Sequence, residues 1–254
     1  MKVVVLSSGS KGNSTYVETS KNKILIDAGK NYKYLKERLS EIDVDIDDIN
    51  YILVSHEHSD HTSSLKTFAS KHKVTIVTTP RMLLEMNDIK DYDHILAYEG
   101  DYELDGIKIT SIHSSHDAVD PRNFIIDDNG ITLAYITDTG YINNRYFKML
   151  SNINIYLFES NHDIEMLQNG PYPRWLKSRM TSDEGHLSNN KAGFYLSKFI
   201  GPNTKKVILT HLSETNNLDE LALDTVRKTL KEYNIEFDSI SCAHQNEISE
   251  VVTL

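Results

Sequence analysis

The stretch "LVSHEHSDHTSSL" (residues 53–65) follows an apolar run and brings three histidines and an aspartate within six positions. His56 and His58 are two positions apart, so both side chains leave on the same side if the preceding strand continues through them. Asp60 and His61 lie where the chain is expected to turn into a helix, which points them elsewhere. The spacing predicts one metal ion beside the first pair and a second ion beside the other pair. Zinc, manganese and iron all accept such ligands.

The surroundings of this stretch predict an α/β layered domain. Short β-branched or apolar runs alternate with amphipathic segments, and several runs are continuous enough to be covered on both faces. The predicted strands are 2–6, 23–26, 51–54, 74–77, 107–112, 131–137, 153–158 and 206–210. The predicted helical segments are 34–39, 146–150, 192–200 and 221–233.

Four of these strands stop at a residue that can bind metal. The residues at these ends are Asp27, His56, Asp138 and His211. In layered α/β proteins ligand-binding side chains gather at the carboxyl ends of strands. Four such endings indicate that a site is built there, and they disfavour the alternative that residues 56–61 are only a histidine-rich surface loop.

Composition limits the cellular setting. The 254 residues, 39% hydrophobic and 25% charged, are ordinary for a globular protein and fit one large domain or two small ones. Cys242 is the single cysteine, so neither an intrachain disulfide nor a thiolate zinc site is possible. The apolar start, MKVVVL, is too short for a signal peptide or a membrane span. We therefore expect a reduced, cytoplasmic compartment and no membrane partner.

Two candidate ligands have competitors. His116 lies beyond a predicted strand beside Asp117, whereas His113 falls within that strand's alternation, so we favour His116 as the third ligand of the first ion. Asp27 precedes Ala-Gly and could instead be a turn-forming residue. The segment GSKGNST (9–15) lacks the G-x-x-x-x-G-K-[ST] order of a triphosphate loop. We interpret it as a tight glycine turn between two strands near the metal edge.

HEHSDH resembles the HxHxDH signature of the metallo-β-lactamase fold hydrolases. The other elements of the family occur in the expected order along the chain: LIDAG before this signature, then SHDAVDP, ITDTG and LTHLS after it. The resemblance implies an αββα sandwich formed by a single domain, residues 1–254, with two divalent ions along one edge. The implied ligands are His56, His58 and His116 for one ion, Asp60, His61 and His211 for the other, and Asp138 as the bridge. Asp27 would orient the site from behind.

The stretch 159–188, "ESNHDIEMLQNGPYPRWLKSRMTSDEGHLS", resembles the YycJ/WalJ branch of that superfamily. That branch is linked with 5′→3′ exonuclease activity on DNA in the cytoplasm. By this resemblance His186 lies near the scissile phosphate, where it would stabilise the phosphate or protonate the leaving oxygen. A helix-cap neighbour is the alternative for His186. His162 is a weaker candidate of the same kind, with a structural role equally open.

Charge is unevenly distributed along the chain. The net charge is −10 overall, yet residues 170–210 contain seven basic residues against two acidic ones, a local net charge of +5. A basic segment beside a metal site suits contacts with a phosphate backbone. The predicted substrate-binding residues there are Arg174, Lys177 and Arg179. Tyr172 and Trp175 could stack on an unpaired base, although solvated helix faces and core packing are the alternatives.

The metal ligands and the basic segment predict a dinuclear metal-dependent phosphodiesterase whose nucleophile is a hydroxide between the metals. The resemblance implies, more narrowly, a DNA 5′→3′ exonuclease. The predicted catalytic residues are Asp60, Asp138 and His186. An acyl hydrolase acting on thioesters or lactones is the enzymatic alternative, although the basic segment would then lack a purpose. A metal-bound sensor or binding module is the alternative outside enzymes, and it would be expected to have lost ligands.

Overall fold

The computed structural model describes residues 1–254, and its apolar runs form two seven-stranded sheets. All eight predicted strands are present, together with six shorter or more polar ones. The strands are β1 (Lys2–Ser7), β2 (Ser14–Glu18), β3 (Lys23–Ile26), β4 (Tyr51–Leu53), β5 (Thr75–Thr78), β6 (Ile95–Ala97), β7 (Tyr102–Leu104), β8 (Ile107–His113), β9 (Arg122–Asp128), β10 (Ile131–Ile136), β11 (Ile155–Glu159), β12 (Lys206–Thr210), β13 (Ile240–Cys242) and β14 (Val252–Thr253).

Nine helices connect these strands. They are α1 (Tyr32–Ser40), α2 (Ser59–Thr62), α3 (Leu65–Lys71), α4 (Pro80–Glu85), α5 (Phe147–Leu150), α6 (Ile164–Asn169), α7 (Arg174–Thr181), α8 (Asn189–Phe199) and α9 (Asp219–Glu232). In α9 the buried residues Ala222, Val226 and Leu230 recur every four positions, which places one apolar stripe against the sheet. None of the helices has the length and apolarity that crossing a bilayer requires.

The first sheet has the strand order β14-β1-β2-β3-β4-β5-β6, and the second has the order β13-β12-β11-β10-β9-β8-β7. Strands β3 to β6 are mutually parallel, as are β10 to β13. The first six strands build most of the first sheet, and β7 to β13 build the second. The last strand, β14, returns to pair with β1, which joins the chain's end to its beginning.

Three apolar clusters define four layers. One cluster lies between the sheets and joins residues such as Val5 of β1 to Leu157 of β11. A second packs the first sheet against α1, α3 and α4, and a third packs the second sheet against α5, α8 and α9. Strands covered on both faces explain the continuous apolar runs in the sequence. The predicted αββα sandwich is therefore confirmed.

Candidate metal centre

The carboxyl ends of strands from both sheets meet at one edge of the sandwich. Asp27 follows β3, Asp138 follows β10 and His211 follows β12. These three residues have left-handed backbone angles, with φ values of 62°, 49° and 57°. Such angles cost about 1–2 kcal/mol in a residue other than glycine. Each turns the chain out of its sheet at the site, and the surrounding contacts hold this strain.

His56, His58 and His116 come together as predicted for the first ion. Their ligand nitrogens lie within 4.8 Å of one another. The ring centroid of His56 lies 4.6 Å from that of His58 and 5.2 Å from that of His116. Strand β4 ends at Leu53, so the loop that follows, rather than a continuing strand, brings the first two together. His113 is exposed at the end of β8 and belongs to none of the metal-type clusters.

Asp60, His61 and His211 form the second group, also with ligand atoms within 4.8 Å. Asp138 lies between the two groups. Its Oδ2 is 3.2 Å from His61 Nε2, and its Oδ1 is 3.4 Å from His211 Nε2 and 3.9 Å from His116 Nε2. All seven predicted ligands therefore meet at one place, and their assignment to particular ions stays a prediction.

The nitrogen atoms of these histidines fit bound metal ions. Nε2 of His56 and Nε2 of His211 are buried without a hydrogen-bond partner, which is rare for buried polar atoms. The opposite nitrogen, Nδ1, lies 3.0 Å from Ser55 Oγ in His56 and 2.7 Å from Asp27 Oδ2 in His61. Metal-binding histidines commonly use one nitrogen for the ion and hold the other by a hydrogen bond. Imidazole and carboxylate groups together suit divalent ions.

Asp27 is a fully buried hydrogen-bond acceptor beneath the cluster. Its carboxylate accepts bonds from the backbone nitrogen and hydroxyl of Ser55 at 2.8 and 2.7 Å. It also accepts from His61 Nδ1 at 2.7 Å and from the Tyr135 hydroxyl at 3.0 Å. Burial, together with this carboxylate, raises the pKa of Tyr135 well above its usual value, so its hydroxyl remains a donor. These bonds hold the His61 ring from the side away from Nε2, and the predicted orienting role of Asp27 stays a prediction.

Glu159 is a site residue that the sequence reasoning missed. It ends β11, between the strands that lead to Asp138 and His211, and it is fully buried. Its Oε1 lies 2.7 Å from His186 Nδ1 and 3.4 Å from His211 Nδ1. Burial raises the pKa of Glu159, but the two histidines outweigh it and lower the pKa to about 2. The strand-end rule that identified Asp27 and Asp138 would have found this residue.

His186 lies in the cleft in front of the metal cluster. The cleft has a volume of about 270 Å³ and its lining includes Asp60, Asp138 and His186. The His186 ring stacks on that of His211, with centroids 5.1 Å apart. Since Nδ1 points to Glu159, Nε2 is the nitrogen available to the cleft. His186 is therefore held next to the predicted metal ligands.

His162 is placed differently from its predicted role. It is 2% exposed and does not line the cleft. Its backbone pairs with Ser188 in an isolated bridge, and burial lowers the pKa of its side chain to about 4. A side chain behind the wall of the cleft cannot reach a substrate in this arrangement. The structural alternative fits His162 better.

The three basic residues predicted to bind substrate lie on α7 but differ in what they contact. Arg179 lines the cleft and makes a two-point ion pair with Asp117, at 2.6 and 2.9 Å. Lys177 donates to the carbonyls at the end of α6, Gln168 O and Gly170 O, at 2.7 and 2.8 Å. It anchors α7 rather than facing the cleft. Arg174 is exposed and makes no hydrogen bond or ion pair.

Lys206 and Lys198 of the basic segment lie away from the site, whereas Lys191 contacts the loop that carries Asp138. Lys206 begins β12, at the end of the sheet opposite the metal cluster, and pairs with Glu250. Lys198 lies over the Tyr233 ring, 4.1 Å from its centroid. Lys191 Nζ donates to Gly140 O at 2.8 Å. The local charge of +5 in the sequence thus overstates the basic surface beside the cleft, because strand and helix directions disperse these residues.

The glycine turn joins β1 to β2 next to the metal cluster, as predicted. Asn13 Nδ2 lies 3.0 Å from His61 Nε2, and Ser10 lines the cleft. The backbone nitrogens of Gly9, Lys11 and Gly12 all donate to acceptors within the protein. With these donors already engaged, the turn does not present the ring of free amides that cradles a phosphate.

Comparison with known proteins agrees with this geometry. A family profile described as "Beta-lactamase superfamily domain" matches residues 22–212. Exodeoxyribonuclease YycJ of Bacillus anthracis is 38% identical over 233 residues, 90% of this chain and 88% of that protein. Exodeoxyribonuclease WalJ of Streptococcus pneumoniae serotype 2 is 38% identical over 243 residues, 92% of this chain and 90% of that protein.

Solved structures show the same fold. The metallo-β-lactamase fold protein YhfI from Bacillus subtilis superposes with a TM-score of 0.73, over 98% of this chain and 99% of that one. At 16% identity this similarity concerns the fold alone. The long matches to YycJ and WalJ carry the closer relationship. The chain belongs to the metallo-β-lactamase superfamily and, within it, to the YycJ/WalJ family.

Proposed function

We propose that this protein is a metal-dependent exodeoxyribonuclease that removes nucleotides from the 5′ ends of DNA. The observation that carries the proposal is the pair of adjoining histidine–aspartate clusters, in a chain 38% identical to two proteins named exodeoxyribonucleases. The 254 residues act as one domain, because both sheets contribute to the same core and the same site. A DNA substrate also fits the cytoplasmic compartment inferred from the sequence.

Two divalent ions, zinc or manganese with iron as a further possibility, complete the proposed site. His56, His58 and His116 would hold one ion, while Asp60, His61 and His211 would hold the other. Asp138 lies within reach of both groups. Such ions, when bound, make water a nucleophile near neutral pH and offset the charge of a phosphodiester.

The protein's own residues supply orientation and a proton. Asp27 fixes the ring of His61 through Nδ1, and Ser55 does the same for His56. Glu159 accepts a hydrogen bond from His186 Nδ1, so His186 Nε2 faces the cleft and delivers a proton to the leaving oxygen. Glu159 remains ionised because its pKa is about 2, so it stays an acceptor for His186 Nδ1 and fixes the orientation of the ring.

Basic residues at the rim of the cleft would bind the phosphates of the substrate. Arg179 uses two of its N–H groups on Asp117, and the remaining donors of its guanidinium are available to a phosphate oxygen. Arg174 adds an unpaired positive charge on the same helix. Both would position the strand rather than take part in bond cleavage.

The decisive experiment compares DNA labelled at the 5′ end with DNA labelled at the 3′ end, using purified protein with added Mn²⁺ or Zn²⁺. We expect early release of mononucleotides carrying the 5′ label. Asp60→Asn should abolish this activity while the circular dichroism spectrum remains unchanged. His113→Ala is the matched control, because His113 is an exposed histidine outside the cluster, and it should retain both activity and bound metal.

The same preparations should be assayed with a panel of thioesters and lactones. Turnover of these substrates without any release of nucleotides would replace the nuclease proposal with acyl hydrolysis. Stoichiometric metal binding with no turnover of either kind would favour the sensor interpretation. Release from the 3′ end alone would refute the proposed polarity.

A further inference from the structure

Helix α7 and the segment before it form one wall of the metal cleft. Tyr172, Leu176, Arg179 and Met180 all line it. Within the helix, Arg179 and Met180 follow Leu176 by three and four residues, which puts these three along one side, while Tyr172 lies in the segment before it. Lys177 anchors this helix to the end of α6, and Arg179 anchors it to Asp117. The wall is therefore held in place before any substrate arrives.

Trp175 lies on α7 beside the cleft-lining Leu176, and its side chain is largely exposed to solvent. It is the only tryptophan in the chain, and it is 69% exposed. It lies one turn before Arg179 on α7, so these two side chains are neighbours on the helix surface. No other aromatic ring packs against it. Tryptophan is usually well buried, so a large exposed ring beside a cleft requires a reason.

The charges near α7 differ from those of a neighbouring cleft. Arg174, adjacent to Trp175, carries an unpaired positive charge. A neighbouring cleft of about 520 Å³ shares Ser213 with the metal cleft and is lined by acidic and neutral residues. Its acidic residues are Glu214, Asp219, Glu220 and Glu247. Glu214 pairs with Lys11, but Asp219, Glu220 and Glu247 have no lysine or arginine partner, so this cleft disfavours a polyanionic strand and α7 is the more favourable approach.

We propose that Trp175 is a base-stacking platform that binds an unpaired base of single-stranded DNA next to the metal cleft, which Tyr172 lines. This inference rests on the proposed nuclease function and specifies the form of its substrate. Exposed aromatic rings next to positive charge bind single strands because every base has a face that can stack, whereas paired bases in a duplex hide theirs. Arg174 then contacts a phosphate of the same strand.

The single tryptophan gives a direct assay, because all tryptophan emission comes from Trp175. The full chain carrying Asp60→Asn is titrated with oligothymidylate, so that the DNA is bound but not degraded. We expect stacking to quench the emission. An abasic oligonucleotide of equal length and charge should bind with little quenching, and a blunt duplex should behave like the abasic strand. DNA binding, measured by anisotropy, without any quenching would overturn the proposal.

Kinetics give an independent test in the active protein. Trp175→Ala should raise the KM for oligothymidylate roughly tenfold while changing kcat much less, in line with the loss of one stacked base. The KM for the abasic strand should change by less than about twofold, whereas a general structural defect would raise the KM for both strands. Trp175→Phe should recover most of the loss. Leu84→Ala removes another exposed apolar side chain, on α4, and is the matched control.

The two proposals fail in different ways. If the wild-type protein degrades no DNA, the proposed function is wrong. If it degrades DNA and Trp175→Ala raises the KM equally for oligothymidylate and for the abasic strand, the nuclease stands and the stacking platform is refuted. Equal quenching by both strands would lead to the same conclusion.

Discussion

Gly29 lies against the backbone of Asp60, and replacing it with alanine is expected to displace a predicted metal ligand. A Cβ atom at position 29 would be 1.6 Å from the carbonyl oxygen of Asp60 and 2.8 Å from the backbone nitrogen of Asn13. Real Cβ atoms essentially never approach closer than 3.0 Å. Moving this contact from 1.6 to 3.0 Å requires a shift of at least 1.4 Å.

The shift cannot be absorbed by a flexible side chain, because the atoms in the way are backbone. Asp60 O already accepts a hydrogen bond from Asn13 N at 2.8 Å, and Gly29 N donates to Asn13 O at 2.9 Å. Overpacking of this kind costs about 1–3 kcal/mol. For a chain of this size that is a fall in Tm of about 2–12 °C. Misplacing a reacting group by about 1 Å costs on the order of 100-fold in rate.

The assay measures three properties of Gly29→Ala: Tm by scanning fluorimetry, bound metal by mass spectrometry, and release of mononucleotides from 5′-labelled DNA. We expect all three to fall. Gly130→Asn is the control, since nothing lies within 4 Å of its Cβ position and asparagine tolerates its positive φ of 88°. An alanine variant with wild-type metal content and activity would refute the close packing on which this reasoning depends.

Three further outcomes are expected. Burial raises the pKa of the Asp128 carboxyl, but the hydrogen bonds donated by Ser20 N and Ser20 Oγ, both 2.7 Å, lower it below 3.8 overall. Asp128→Asn should therefore lower the free energy of unfolding, measured in urea at neutral pH. Because the folded pKa is the lower one, the difference from wild type should shrink as the pH falls below 3.8. Burial, and then Asp219, raise the pKa of Cys242 to about 12, so Ellman's reagent should react slowly at pH 7 and fast in guanidinium. Removing metal with EDTA should lower Tm by about 8 °C or more if the ions had been present at 1,000 times their Kd, and added Mn²⁺ should restore it.

Strand periodicity and strand endings predicted the architecture well, because they report local physics. Each buried strand must be apolar on both faces when helices and a second sheet cover it, and this requirement is visible in runs such as residues 131–137. The ligand-type residues at four strand ends indicated that the site would form at the carboxyl edge of the sheets. Helix α8 begins earlier than predicted because Ser188 caps it through Lys191 N.

The roles of single residues were less predictable. The sequence favoured His116 over His113, but the closeness of His116 to His56 and the exposure of His113 depend on the fold. His162 and His186 both looked like phosphate contacts, yet one is buried behind the cleft and the other faces it. The sequence contained these side chains, but their directions depend on how the backbone turns.

The amino-acid sequence by itself determined the class of fold and the chemical character of the site, since both depend on residue types at short spacing. Only the tertiary structure decided which groups meet. Glu159 reaches His186 and His211 because β11 and β12 are adjacent parallel strands. The basic stretch separates into an anchoring Lys177, a cleft-lining Arg179 and remote lysines, because charges adjacent in the chain point to different faces once helices and strands form.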